Sequence, residues 1–170
     1  AERLGSGFRW VMRSEITGGF VDQAIQFMDQ SVQAGKPFYI NLWPDDVHDP
    51  YWPAVENWGD GSRKQLYRSV LEGMDRQLGK LFDRVRSNES LRDNTLILFC
   101  SDNGPLRDVG KAGPFRGGKT QLYEGGIRSP LIVWSPKLLS KKQFVDKDSV
   151  FCAIDLVPTL LELTGTQVAP

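Results

Sequence analysis

Asn94-Thr95-Leu96-Ile97-Leu98-Phe99-Cys100-Ser101-Asp102-Asn103-Gly104 is the stretch on which the fold turns. The apolar run from Thr95 to Cys100 is strand-sized and too short for a helix, and it stops at Asp-Asn-Gly, ordinary turn chemistry. A run with no polar alternation is the kind buried on both faces by helices. Just before it, Leu66, Val70, Met74, Leu78, Leu81 and Val85 mark one face of a helix from about Ser62 to Val85. The charges on it, Arg68, Asp75, Arg76 and Arg84, form a solvated face. Further upstream, Val21, Ala24, Ile25, Met28 and Val32 predict a helix from Phe20 that stops at Gly35. The aromatic run Phe38 to Trp43 has strand character. Downstream, Leu131-Ile132-Val133-Trp134 predicts a strand, and a last helix fits Ile154 to Leu163, closed by Gly165. Strands interleaved with amphipathic helices predict an α/β layered sandwich with a mainly parallel sheet. In such a sheet ligands gather outside the carboxyl ends of strands, which places Asp102 and Asn103 where a site belongs.

The chain has 170 residues, a length that fits one domain better than two. Lys plus Arg and Asp plus Glu both count 21, so no broad basic surface exists to grip nucleic acid or anionic lipid. With 40% hydrophobic and 11% aromatic residues, the composition is that of a packed globular chain. No apolar run is long enough to span a membrane. Ala1-Glu2-Arg3-Leu4 has no initiator Met and reads as the start of a piece cut from a precursor. Cys100 and Cys152 form no metal or disulfide pattern and are expected to be buried thiols. The Lys-rich stretch Lys137 to Lys142 reads as a connection.

Asp102 offers carboxylate oxygens and Asn103 an amide oxygen, hard donors suited to Ca²⁺ or Mg²⁺ rather than zinc; the bland alternative is an Asx turn leaving a strand. His48, the one histidine, follows the other predicted strand end; as a cation it can bind an oxyanion or protonate a leaving group. A Ser101/His48/Asp triad has little support, because no G-x-S-x-G elbow is present. Gly113-Pro114-Phe115-Arg116-Gly117-Gly118-Lys119-Thr120 fits the phosphate-loop pattern letter for letter. That loop works as a helix N-terminus preceded by a strand. Here the strand ends a dozen residues upstream and Gly125-Gly126 follow within one turn, so the nucleotide reading fails on context. What survives is Lys119 on a glycine-rich loop, able to neutralise an anion.

Beyond the residues themselves there is a resemblance. Pro37 to Leu42 with His48-Asp49-Pro50, Tyr67 through Met74-Asp75 to Leu81, and the Asn94–Gly104 stretch resemble the middle of a sulfatase catalytic domain. Gly117-Gly118-Lys119 with Leu122-Tyr123-Glu124-Gly125-Gly126-Ile127-Arg128-Ser129-Pro130 is similar to the most distinctive signature of that family. Asp155-Leu156-Val157-Pro158-Thr159-Leu160-Leu161 resembles the helix that follows. The agreement covers nearly the whole chain, in order.

The resemblance implies an alkaline-phosphatase-like α/β fold and hydrolysis of sulfate esters, with calcium or another hard divalent cation as cofactor. It implies that Asp102 and Asn103 ligate the metal, that Lys119 holds the sulfate and bridging oxygen, and that His48 contacts sulfate or assists the leaving group. Glu124 and Asp155 are expected to hold loops and helix ends. A sulfated small molecule or glycan is the implied substrate, and a periplasmic, secreted or lysosomal setting the implied compartment. Such enzymes use a formylglycine made within C/S-x-P-S-R, and no such string occurs here. Residues 1–170 are therefore expected to be an inner fragment of a catalytic domain, without the nucleophile region or the C-terminal subdomain, inactive alone and partnered by the remainder of its parent. The alternatives are a phosphate or phosphonate ester hydrolase of the same superfamily, and a non-catalytic sulfate- or glycan-binding module. Trp52, Trp58 and Asp45-Asp46 are candidates to line a substrate pocket, with surface or core roles as the counter-reading.

Overall fold

The computed structural model describes residues 12–139 and 143–167; the opening Ala1 to Leu4 and Lys141 and Lys142 of the basic connection lie outside the described residues. Among the described residues the chain divides into two compact units, with the break between Leu138 and Leu139.

The first unit is built on two long helices, α1 (Ile16–Gln33) and α2 (Arg63–Ser87). Helix α1 starts four residues earlier than the periodicity suggests and ends as expected, with Gly35 at φ +63°, a conformation that glycine adopts without steric penalty. Helix α2 begins where Ser62 accepts from the Gln65 amide, an N-cap that supplies one otherwise unmet helical N–H with a partner. Val21, Met74 and Leu78 form one buried cluster between the helices. Met28, Val85 and Leu91 form a second, with Leu91 from α3 (Glu89–Asp93). On α1 the buried stripe takes in Thr17 and Ser31, while Val32 is exposed. Ser31 belongs inside because its hydroxyl donates to the Phe27 carbonyl at 2.9 Å, leaving no unmet polar group. Arg84, expected on a solvated face, instead reaches across to Asp29 of α1 at 2.7 Å.

Strand β1 (Ile97–Cys100) and strand β2 (Leu131–Trp134) pair with Ile97 opposite Trp134 and Cys100 opposite Leu131. The pairing is antiparallel, so the one two-stranded sheet among the described residues does not show the mainly parallel sheet expected from the interleaved elements. A parallel return needs a crossover, usually a helix of a dozen or more residues. Between β1 and β2 the described chain offers only α4 (Glu124–Ile127), so it doubles back. Ile97 and Trp134 pack on the Met28 cluster, which fixes the register. The far end of the sheet is open: Phe99 and Cys100 are exposed, so β1 is not covered on both faces and the expected burial of the thiols is overturned. Cys152, in the second unit, is exposed as well.

The run Phe38 to Trp43 joins no ladder among the described residues, yet it keeps the period of a strand. Phe38, Ile40 and Leu42 pack on the two inter-helix clusters, while Tyr39 and Trp43 point outward. Alternation reports which face is buried, not whether the backbone has found a partner.

In the second unit, α5 (Leu156–Thr164) follows a 3₁₀ turn in which the Asp155 carboxylate accepts from the Cys152 amide at 2.7 Å. It ends at Gly165 with φ +65°. Asp155 thus holds a helix end, as expected. No helix among the described residues is long and apolar enough to cross a membrane.

Candidate functional site

The turn that leaves β1 is laced by main-chain bonds to the glycine-rich loop. The Gly104 amide donates to the Gly126 carbonyl at 2.8 Å, the Lys119 amide to the Pro105 carbonyl at 2.9 Å, and the Gly125 amide to the Arg116 carbonyl at 2.8 Å. The approach is too close for any side chain. A Cβ on Gly104 would sit 1.9 Å from the Gly125 oxygen, and one on Gly118 would sit 2.7 Å from the Pro105 oxygen. These glycines are there because backbone meets backbone. The turn that follows Asp102 and Asn103 is thereby bonded to the loop that carries Lys119, although the residues stand 16 or more positions apart.

Within this cradle the side chains divide into committed and uncommitted groups. Ser101 donates to the Asn103 carbonyl at 3.0 Å, and Ser129 to the Ser101 carbonyl at 2.7 Å. A Ser101 hydroxyl so engaged has a structural task, against its use as a nucleophile. Asn103 donates its amide nitrogen to the Gly104 carbonyl at 3.2 Å, which leaves its Oδ1 uncommitted. Among the described residues neither the exposed Asp102 carboxylate nor the half-buried Lys119 ammonium forms an ion pair, whereas Glu124 is taken by Arg128 at 2.5 Å. Asp102 and Asn103 fit a hard cation in kind. They fall short in number, since Ca²⁺ takes six to eight oxygens and no group of three or more potential His, Cys, Asp or Glu ligands occurs among the described residues.

Lys119 lies in a strained turn. The Gln121 amide closes back onto the Gly118 carbonyl at 3.1 Å, and Thr120 in the third position has φ +73°. That is the pattern of a type II turn, which favours Gly at this position. A β-branched residue there costs of order 1–3 kcal/mol and is held by its surroundings. No helix follows Lys119 until α4, so the phosphate-loop geometry is not formed.

His48 is held by a separate set of bonds. Its Nδ1 lies 2.8 Å from the Asp49 carbonyl oxygen; a carbonyl can only accept, so Nδ1 carries the proton and Nε2 is left as the acceptor of the neutral ring. Arg13 straps the segment by donating to the carbonyls of Asp45 and His48 at 3.2 Å and of Pro50 at 3.1 Å. The acidic pair proposed as pocket lining is used for structure: Asp45 takes Arg13 at 3.0 Å, and Asp46, buried, accepts from the Thr17 hydroxyl. Trp58 donates to the Pro53 carbonyl at 3.1 Å, and Trp52 is half exposed.

The link between the two halves is a residue that sequence reading missed. Arg63, the first residue of α2, donates to Asp49 at 2.7 Å and to Asp108 at 2.8 Å, and its guanidinium lies 5.3 Å from the Tyr51 ring centroid. Bonding to Arg63 holds the Asp108 carboxyl below its ordinary value, and the two carboxylates push the Arg63 guanidinium further up. One signal was available in the sequence. A cation at a helix N-terminus faces the positive end of the dipole and needs an anionic partner.

The family model described as Sulfatase matches residues 15–166. The chain belongs to the sulfatase family. It is 28% identical to arylsulfatase G of Mus musculus over 89% of its own length and 30% of the relative. It is 32% identical to an N-acetylgalactosamine-6-O-sulfatase of Bacteroides thetaiotaomicron over 75% of its own length and 27% of that relative. Among solved structures it superposes on Ps i-CgsB in complex with k-i-k-neocarrahexaose with a TM-score of 0.76 and 32% identity, covering 91% of this chain and 35% of that one. This sulfatase-family chain thus has the α/β fold of its relatives over the aligned part, and spans about 30% of the length of the mouse relative.

Proposed function

We propose that this segment supplies one side of a sulfate-ester hydrolase site: Asp102 and Asn103 as metal ligands, and Lys119 and His48 as the groups that act on the ester. The observation that carries the reading is the main-chain lacing of the β1 turn to the Lys119 loop. It ties the turn that carries Asp102 and Asn103 to the loop that carries Lys119, and among the described residues neither that carboxylate nor that ammonium is spent in an ion pair.

Cleaving a sulfate ester builds negative charge on the bridging oxygen. The Lys119 ammonium neutralises it at the point where it develops, and His48, once protonated, can deliver the Nε2 proton to the departing alkoxide. Asp102 and Asn103 would hold Ca²⁺ or another hard divalent cation, which supplies Lewis-acid stabilisation of the sulfate oxygens when bound. The covalent nucleophile, a formylglycine by family resemblance, has no precursor motif in residues 1–170. Alone, the chain is expected to turn over no sulfate ester and to bind calcium weakly, with water completing the shell. As substrate class we favour a sulfated saccharide, supported by the relatives matched above, one named for N-acetylgalactosamine 6-O-sulfate and one solved with a neocarrahexaose. An exported or lysosomal setting belongs to the same reading.

The test uses a longer polypeptide that joins this segment to a C/S-x-P-S-R region. Cation-dependent hydrolysis of an aryl sulfate, abolished in Asp102→Ala, is expected. Full activity of that variant in excess chelator would remove Asp102 from the metal site. In parallel, calorimetric titration of the 170-residue chain with calcium should give a dissociation constant of about 1 mM or weaker.

A further inference from the structure

We propose that Arg63 is a positioning residue that locks the His48 segment to the Lys119 loop through Asp49 and Asp108. The proposal rests on the reading above, in which His48 and Lys119 act on one ester.

Arg63 forks between carboxylates 14 residues before it and 45 after it, with Nη1 on Asp49 at 2.7 Å and Nε on Asp108 at 2.8 Å. Each partner is one step from a candidate group. Asp49 follows His48 and supplies the carbonyl that fixes its tautomer. Asp108 lies in the turn closed by the Val109 and Gly110 amides on the Leu106 carbonyl, and the residue before that turn, Pro105, receives the Lys119 amide. Beneath the fork the same two segments meet a second time, where Tyr51, Val70 and Val109 form a buried cluster. The guanidinium rests against the Tyr51 ring and its planar fork satisfies both acids at once, which a lysine ammonium on a flexible stem cannot reproduce.

Exposed ion pairs add little to global stability. All three side chains are about half exposed, so the effect of this fork falls mainly on the relative placement of two segments and only slightly on whether the chain folds. Placement within a few tenths of an ångström is what separates a productive from an unproductive acid and cation.

The experiment exploits the fact that His48 is the sole imidazole, whose ring signals stand alone in a carbon-correlated NMR spectrum of the labelled 170-residue chain. Asp108→Asn, 60 positions away, should move the His48 ring signal and raise the fast mobility of the His48 and Asp49 amides. Arg63→Lys should do the same, and the double variant should add nothing further. Asp83→Asn, at an exposed acid paired only within α2, should leave these signals in place, and unchanged core signals of Val21 and Met74 would report that every variant is folded. A His48 response to Asp108→Asn no larger than to Asp83→Asn, or effects of the two single changes that simply sum, would overturn the proposal. No turnover is read, so failure of the sulfate-ester assignment would leave this result intact, and failure here would leave Lys119 and Asp102 in their proposed roles.

Discussion

The Gly104 amide donates to the Gly126 carbonyl at 2.8 Å, and this one bond joins the end of β1 to the loop that carries Lys119. A methyl on Gly126 would lie 1.9 Å from the Gln121 oxygen and 2.4 Å from that of Gly118. Gly126→Ala is therefore expected to cost about 3 kcal/mol, because rigid backbone has to move. Gly79, inside α2 with nothing within 4 Å of the place a methyl would occupy, gives the opposite sign. Gly79→Ala should add about 1 kcal/mol from helix propensity. Urea midpoints of the two variants would check both, and equal effects would dissolve the distinction.

Thr120 offers a test of strain beside the candidate cation. Its φ of +73° is natural for glycine, so Thr120→Gly should stabilise the chain by about 1 kcal/mol after the extra chain entropy of glycine is counted. A loss of stability in chemical denaturation would mean that the threonine side chain makes up for its backbone.

Lys119 contributes to the fold through its main-chain amide, and among the described residues its ammonium forms no ion pair. Lys119→Ala should leave the urea midpoint of the 170-residue chain within about 0.5 kcal/mol of its original stability. In the longer polypeptide it should lower kcat/KM for an aryl sulfate about 100-fold or more, as loss of one oxyanion-stabilising group does. Unchanged turnover would return the residue to the solvated loop.

A small part of the acid sensitivity should trace to Asp108, whose exposed ion pair adds only modestly to stability. Bonding to Arg63 lowers its pKa from the ordinary 3.8, so the folded state binds that proton less readily than the unfolded state. Its contribution is complete above pH 3.8 and disappears as pH falls through the lowered native value. Asp108→Asn should flatten this part of the pH dependence, and its difference from the parent chain should shrink below about pH 3.8. Urea midpoints measured from about pH 5 to about pH 2.5 would show this; a constant difference across the range would assign the stability to something other than the ionised carboxylate.

How much of this was legible in sequence depended on how local the cause is. A helix start near Ser62, Gly35 and Gly165 as stops, and Leu131–Trp134 as a strand follow from short-range rules, and the structure has them. The direction of β2 was not legible, because it depends on what the intervening chain does, and that chain builds a glycine cradle instead of a crossover helix. Cys100 and Phe99 looked buried because apolar runs are read as if both faces were covered, whereas here the sheet has two strands. Asp102, Asn103 and Lys119 were visible through residue chemistry and family resemblance. The bonding of their two segments was not, since it is made by main-chain atoms that every residue possesses. Arg63 went unnoticed because its partners lie far away in sequence, although its place at a helix start hinted at a need for anions.

The glycine lacing also makes the cradle a socket whose frame is independent of its fittings. No charged side chain contributes a bond to the Gly104, Gly125 and Gly126 closures, so the donors on the rim can be exchanged while the frame stays put. Replacing Asn103 by His, for instance, would put a nitrogen donor, the kind zinc favours, beside Asp102; it would give up the Asn103 bond to the Gly104 carbonyl while leaving the main-chain closures in place. For a designer the useful boundary runs between atoms of the main chain, which must be left alone, and the side chains they carry, which are open to new chemistry.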